Sequence, residues 1–173
     1  MSADIEKAKS FLFEFLSAMK AWNNKFATLF QHGGSLVHRD QAEAEVRPIY
    51  ERYLATINQE RPIFSVGYPG EYDPEAEKIV STESPNARKV VIETLWTHPG
   101  DPPSTQQHRY TMINKSGEWR LDKDEFYDSV ENKWVKRAFF VMKRSLGMTT
   151  EEREAAQRGT LVSDWLARGH NHC

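Results

Sequence analysis

The chain has 173 residues, 39% of them hydrophobic and 28% charged, a composition typical of one globular domain with a sizeable core. No segment approaches the roughly 18 to 20 consecutive apolar residues of a membrane helix, and the start of the chain lacks the pattern of an export signal. The net charge of −2 gives no reason to expect nucleic acid or an anionic membrane as a partner. The single cysteine, Cys173, excludes an internal disulfide and fits a cytoplasmic location.

Two helical segments are predicted before the first strand. Apolar residues at spacings of three and four predict a long amphipathic helix from Ser2 to about Phe30. A second apolar stripe predicts helix over roughly Arg39 to Asn58. A break or a new start is expected at Pro48, because proline lacks the N–H that an interior helical position donates.

Antiparallel strands are predicted in the middle of the chain. Val90–Trp96, His108–Ile113 and Glu118–Asp122 are rich in β-branched and aromatic residues, and turn signals separate them. An earlier strand is expected between Ala76 and Thr82, and a short one at Pro62–Val66. Helices followed by such a sheet can cover one of its faces and enclose a pocket. The strand residues that could line this pocket are Trp96, Tyr110, Met112 and Trp119.

A catalytic acid–base pair is not predicted in this pocket. A general base would need an inward carboxylate or histidine whose pKa is raised by burial. Alternation places Glu93 on the face opposite Trp96. Asp124 is interpreted as a strand-end or turn residue and His108 as an exposed residue at a loop edge.

Beyond the strands, a further helical region is predicted. Asp128–Glu131 resembles a capping box, and the apolar spacing after it predicts a helix that ends at Gly147. A last helix is expected to run to Arg168. His170, His172 and Cys173 are ligand-type residues, but a terminus gives a metal site little support, so no metal or cofactor is expected.

An acidic loop is the predicted partner contact. Residues 61–128 hold eight Lys and Arg against twelve Asp and Glu, a net charge of −4, and this favours a basic partner. Within this region, Tyr72 is expected to be exposed among Glu71, Asp73 and Glu75, and tyrosine is enriched at interface hot spots. The predicted partner-binding residues are therefore Glu71, Tyr72, Asp73, Glu75 and Glu93. The alternative interpretation is a polar loop on a solvated surface.

The order of these elements resembles a known superfamily. A long helix, a broken helix and strands that end in Gly117–Asp122 resemble the nuclear transport factor 2-like (NTF2-like) proteins. The continuation through Trp119–Lys123, Phe126–Asp128 and Asn132–Trp134 is similar to the NTF2 fold immunity proteins of bacterial polymorphic toxin systems. The likeness covers about Ser2 to Phe140.

This resemblance implies both a fold and a function. The fold would be α+β, a cone-shaped curved antiparallel sheet covered by N-terminal helices in residues 1–147. A C-terminal helical extension, 148–173, would pack on the same domain. The function would be that of a cytoplasmic, non-enzymatic immunity protein that neutralises a cognate toxin domain by steric occlusion. The alternative is a small-molecule-binding protein, or an isomerase or dehydratase, because such relatives share the cone. Many relatives also form homodimers through the open sheet face, and this option stays open here.

Overall fold

A computed structural model of the chain describes residues 2–30, 38–56, 64, 66–67, 70, 72–98 and 102–137. The described residues form two helices and five strands in a single antiparallel sheet, ordered β1-β2-β3-β4-β5. The elements are α1 (Ser2–Leu29), α2 (Arg39–Tyr53), β1 (Glu77–Asn86), β2 (Lys89–His98), β3 (Ser104–Lys115), β4 (Glu118–Asp128) and β5 (Lys133–Lys136). The predicted α+β class is confirmed.

The apolar stripe of α1 packs against one face of the sheet, which we call the inner face. Its buried residues are Ala8, Leu12, Phe15, Leu16, Met19, Trp22 and Phe26. They share one core with inner-face residues of the strands, among them Ile92, Met112 and Leu121. Burial of each large apolar side chain contributes about 1.5–3 kcal/mol to folding, so this stripe fixes α1 on the sheet.

Helix α2 continues through Pro48, so the predicted break there is wrong. The missing N–H of Pro48 leaves the carbonyl of Ala44 without its helical donor. Both residues are exposed, and water can supply that hydrogen bond. Buried residues on either side of the proline, Val46 and Tyr50 among them, hold the helix against α1 and the sheet.

A bulge in β4 decides which of its residues face inward. Met112 pairs with Leu121 and Thr111 pairs with Lys123, so Asp122 is the extra residue. The inward set therefore shifts by one residue after Leu121, and Asp124 becomes fully buried. The expectation that Asp124 is a strand-end or turn residue is wrong, because β4 extends to Asp128.

The segment that follows β4 is a turn and a short strand. The helix predicted from Asp128 is wrong over its described part, because Trp134 pairs with Tyr127 as part of β5. Asp128 does accept backbone hydrogen bonds, from Val130 and Glu131, but these close a turn. The residues beyond 137, including the predicted extension, lie outside the described residues, as does most of the predicted strand Pro62–Val66.

Candidate functional site

The outer face of the sheet, opposite the helices, carries a row of charges that crosses four strands. Direct cross-strand partners are Glu93 and Arg109, then Arg109 and Glu125, then Glu125 and Lys136. Arg109 Nε donates to Glu125 Oε2 at 3.2 Å, and Ser81 Oγ donates to Glu93 Oε2 at 3.1 Å. Glu93 therefore lies on the face opposite Trp96, as alternation predicted.

Aromatic side chains extend this row at the β4–β5 end. The guanidinium of Arg109 lies 4.1 Å from the ring centroid of Trp134 in a cation–π contact. The Tyr127 ring meets Trp134 edge-on at 5.3 Å between centroids, and the Tyr127 hydroxyl is hydrogen-bonded to Asn132. All three side chains of the cluster, Arg109, Tyr127 and Trp134, are half-buried, so part of each remains open to solvent.

The turn between β4 and β5 holds an exposed valine. Asp128 Oδ1 accepts the backbone N–H groups of Val130 at 2.9 Å and Glu131 at 3.1 Å. Asn132 adopts a left-handed backbone with φ of 52°, which closes the turn. Val130, at the tip of this turn, is 92% exposed. We call Arg109, Tyr127, Val130 and Trp134 the hairpin patch.

In the acidic loop, the position of Tyr72 differs from the predicted one. Tyr72 is only 5% exposed and meets Phe15 of α1 edge-on at 6.4 Å, so the expectation of an exposed tyrosine is wrong. Its large ring is better buried against the helix than left in water. Lys20 Nζ lies 2.8 Å from Asp73 Oδ1 and 3.6 Å from Glu75 Oε2. Glu71 is outside the described residues.

Lys20 also changes the charge balance of this loop. Burial raises the pKa of Asp73, but hydrogen bonds from Lys20 and from the Glu75 backbone outweigh it and leave the pKa below its ordinary value. The carboxylate is thus held in its charged form by a neighbouring cation, which neutralises part of the acidic patch.

The inner face holds a buried polar cluster that sequence reasoning missed. Glu77 accepts hydrogen bonds from His108 Nδ1 at 2.7 Å, from the Tyr110 hydroxyl at 2.7 Å and from the Thr94 hydroxyl. His108 is fully buried, so the expectation that it lies at an exposed loop edge is wrong. β3 begins at Ser104, which makes His108 a mid-strand residue.

Arg137 joins this cluster from the end of β5. Its Nη2 lies 2.6 Å from His108 Nε2, and its Nε lies 3.5 Å from Asp124 Oδ1. Its backbone N–H donates to the Asp124 carbonyl at 2.9 Å. Two buried carboxylates therefore lie beside a buried guanidinium and imidazole, a combination that needs mutual pairing to be stable.

Burial and pairing act in opposite directions on the acids of this cluster. Burial raises the pKa of Glu77, but the hydrogen bond and electrostatic attraction of His108, with hydrogen bonds from Thr94 and Tyr110, bring it below its ordinary value. Burial, reinforced by the nearby Asp124 carboxylate, raises the pKa of Tyr110 well above its ordinary value. Glu77 is thus held as the acceptor and Tyr110 as the donor.

The residues predicted to line a pocket all lie in the core. Trp96 and Trp119 are 7% and 5% exposed, and Tyr110 and Met112 are fully buried. Trp96 stacks on His108 at 5.6 Å between centroids. Trp119 also contributes to a surface depression of about 470 Å³ at the β3–β4 turn, beside α1 and the end of α2. Their role as pocket residues stays a prediction.

The described part of the chain offers neither a metal-binding cluster nor a membrane-spanning helix. It contains no group of three or more His, Cys, Asp or Glu side chains arranged to hold a metal ion. None of the helices described there is long and apolar enough to span a membrane.

Comparison with known proteins identifies related sequences. The model of a family described as "NTF2 fold immunity protein" matches residues 7–138. The chain is 32% identical over 136 residues to "Immunity protein RhsIA" of Dickeya dadantii (strain 3937), an alignment that covers 77% of this chain and 96% of the relative. No solved structure matches.

Proposed function

Because the chain belongs to the NTF2 fold immunity protein family, we propose that it binds a cognate bacterial toxin domain in the cytoplasm and neutralises it by steric occlusion. The observation that carries the proposal is the extent of the family match. Residues 7–138 include all five strands, α2 and most of α1. The likeness is therefore to the whole described domain, and the name of the relative RhsIA points to the same role.

Occlusion requires an exposed surface, and the outer sheet face offers one. Among the described residues no helix or strand covers this face, whereas both helices pack on the inner face. Arg109, Tyr127 and Trp134 belong to the three residue types most enriched at binding hot spots. Direct binding at such a face needs no chemical step.

A second candidate function rests on the inner cluster. A carboxylate and an imidazole 2.7 Å apart, Glu77 and His108, are the groups a general base would use in an isomerase or dehydratase. The buried indole N–H of Trp96, next to His108, has no hydrogen-bond partner among the described residues, and a small polar ligand could supply one. Against this use, both oxygens of Glu77 already accept hydrogen bonds and its side chain is fully buried.

Co-expression tests the proposal. The toxin domain encoded beside the gene for this chain is expressed from an inducible promoter, with and without the chain, and a toxin domain from another locus serves as the control. We expect growth rescue against the neighbouring toxin only, and a stable complex of the two proteins on purification. The absence of both growth rescue and a complex would refute the proposal. Ligands of the inner cluster would then be tested instead.

A further inference from the structure

We propose that His108 and Arg137 form a pH-sensitive latch, in which the neutral imidazole holds the end of β5 against the core and the protonated imidazole releases it. The latch does not depend on the proposed function, because it concerns how the fold itself responds to acid. It rests on the different partners of the two ring nitrogens of His108, on the burial of Arg137 and on the shortness of β5.

The contacts of His108 in the closed form define which ring nitrogen carries the hydrogen. Nδ1 lies 2.7 Å from Glu77 Oε1, and Nε2 lies 2.6 Å from Arg137 Nη2. The same Nη2 is 3.0 Å from Nδ1, the longer of its two contacts with the ring. A carboxylate only accepts hydrogen bonds and a guanidinium only donates them. Nδ1 therefore carries the hydrogen, Nε2 accepts from Arg137, and the ring is neutral.

A second partner for Nε2 lies beside the first. The side-chain oxygen of Gln106, Oε1, is 3.2 Å from Nε2. Once Nε2 takes up a proton, it can donate to this oxygen, whereas its contact with Arg137 becomes a meeting of two donors and of two positive charges. Like charges at this distance in a buried site repel each other strongly. Protonation of His108 therefore replaces Arg137 by Gln106 as the partner of Nε2.

Arg137 transmits this change to β5. The strand is only four residues long, Lys133–Lys136, and lies at the edge of the sheet. Arg137 follows it directly, is 9% exposed, and donates its backbone N–H to the Asp124 carbonyl at 2.9 Å. A strand this short has few hydrogen bonds of its own, so repulsion of its buried anchor favours opening of the strand. Trp134 of the hairpin patch lies on β5, and its stacking on Arg109 is lost when the strand opens.

Other titratable groups around the ring narrow the choice of the acid-sensitive group. Burial is the main reason why the pKa values of Tyr50 and Tyr110 are raised, so both stay neutral. The pKa of Glu77 is lowered, chiefly by its hydrogen bond from His108, so it stays ionised over the range in which histidine titrates. From α1, the described buried side chains are apolar apart from Asn23, whose amide is bonded to Gly67.

Two groups remain as alternatives to His108. Asp124 lies 3.5 Å from Arg137 Nε, and its protonation would also weaken the hold on Arg137. His98 meets Trp96 edge-on at 5.2 Å between ring centroids, and Trp96 stacks on His108. Substitutions distinguish these groups from His108.

NMR spectroscopy of the full chain at about pH 7.5 and about pH 5.5 tests the latch, because histidine titrates in this range and carboxylic acids ordinarily titrate below it. We expect the ring ¹⁵N shifts of His108 to show the Nδ1–H tautomer at the higher pH and the imidazolium at the lower. Amide protection factors, which are corrected for the intrinsic pH dependence of exchange, should fall at least about fivefold at Arg137 and along β5. Those of Val91 and Thr111, paired across β2 and β3, should stay unchanged.

Three variants assign the effect to its group. His108→Gln removes the titrating ring and should abolish the pH dependence of β5 protection. Gln106→Leu removes the acceptor of the protonated form and should move the opening of β5 to lower pH. His98→Gln is the matched control, a histidine substitution on the neighbouring strand, and should behave as the wild type does.

The latch is refuted by an imidazolium at both pH values, by unchanged protection of β5, or by an equal loss of protection at Val91, which would indicate unfolding of the whole sheet. Wild-type pH dependence in His108→Gln would assign the opening to Asp124, and its loss in His98→Gln would assign it to His98. Opening of β5 at the same pH in Gln106→Leu would contradict the exchange of partners. If His108→Gln does not fold, the wild-type titration and Gln106→Leu still decide.

Discussion

Glu77 and Glu93 belong to neighbouring strands of one sheet, but they differ in nearly every physical respect. Glu77 faces inward, is fully buried at its side chain and accepts hydrogen bonds from three residues. Glu93 faces outward, is half-buried and accepts a hydrogen bond from Ser81. Charged side chains therefore have different roles on the two faces of the sheet. Those of the inner cluster are buried and stabilise the core, whereas those of the outer row are partly exposed and accessible to a partner.

The largest expected effect follows from removing the inner acid. Glu77→Ala leaves the Tyr110 and Thr94 hydroxyls and the His108 ring without their acceptor in a buried site. Breaking such a network by deleting one partner costs about 3–5 kcal/mol of folding free energy. Glu93→Ala, the matched change on the outer face, should cost less than about 1 kcal/mol. Urea denaturation of both variants checks this, and equal losses would contradict the distinction between the faces.

The cluster around this inner acid could not be located from sequence, because the predicted lengths and register of two strands were wrong for its members His108 and Asp124. The short predicted strands began at His108 and ended at Asp122, which placed His108 and Asp124 in loops. In the structure both strands are longer, and the bulge at Asp122 turns Asp124 inward. Alternation alone did place Glu93 correctly, because β2 is regular from Lys89 to His98.

A smaller effect is expected on acidification, which neutralises Glu77 without deleting it. Its pKa is lowered on folding, so its stabilising contribution is fully present above the unfolded pKa of roughly 4.3 and is lost as the pH falls through the lower folded value. Asp73 and Glu45 also have lowered pKa values and add to the acid sensitivity. The part of the acid-induced loss of stability that is due to Glu77 is therefore the difference between the losses of the wild type and of Glu77→Gln.

Urea midpoints between pH 7 and pH 3 measure that difference. We expect the curve of Glu77→Gln to be flatter than that of the wild type in the acid range. If Glu77→Gln loses stability with falling pH as steeply as the wild type, another group is responsible for the acid sensitivity.

A still smaller effect is expected from the outer cluster. Arg109→Ala and Trp134→Ala each remove one side of the cation–π contact, and a double-mutant cycle isolates their coupling. For a half-exposed pair we expect about 0.5–1 kcal/mol, well below the loss from Glu77→Ala. Thermal or urea unfolding of the four proteins gives the value. A coupling of several kcal/mol would mean that the outer face stabilises the fold as strongly as the inner cluster does.

The residues of the hairpin that carries this cluster were singled out from sequence, but a helix was predicted for them instead of a turn and a strand. Asp128–Glu131 has the side chains of a helix start, and Trp134 falls at a helical spacing from Val130. The same aspartate can cap a helix or close a turn, because both use a carboxylate to accept nearby backbone N–H groups. Pairing of Trp134 with Tyr127 across two strands decides between them, and that is a tertiary contact that local sequence does not specify.

The smallest expected effect on stability comes from a substitution of Val130 in the turn between β4 and β5. Val130 makes its hydrogen bond through its backbone, and its side chain contributes almost no burial, so Val130→Asp should change the free energy of unfolding by no more than about 0.5 kcal/mol. Urea denaturation checks this value, and a loss above about 1 kcal/mol would show that the valine has a structural role. Together with the loss expected for Glu77→Ala, an unchanged stability of Val130→Asp would show that the sheet depends for its folding free energy on buried side chains and not on this exposed turn.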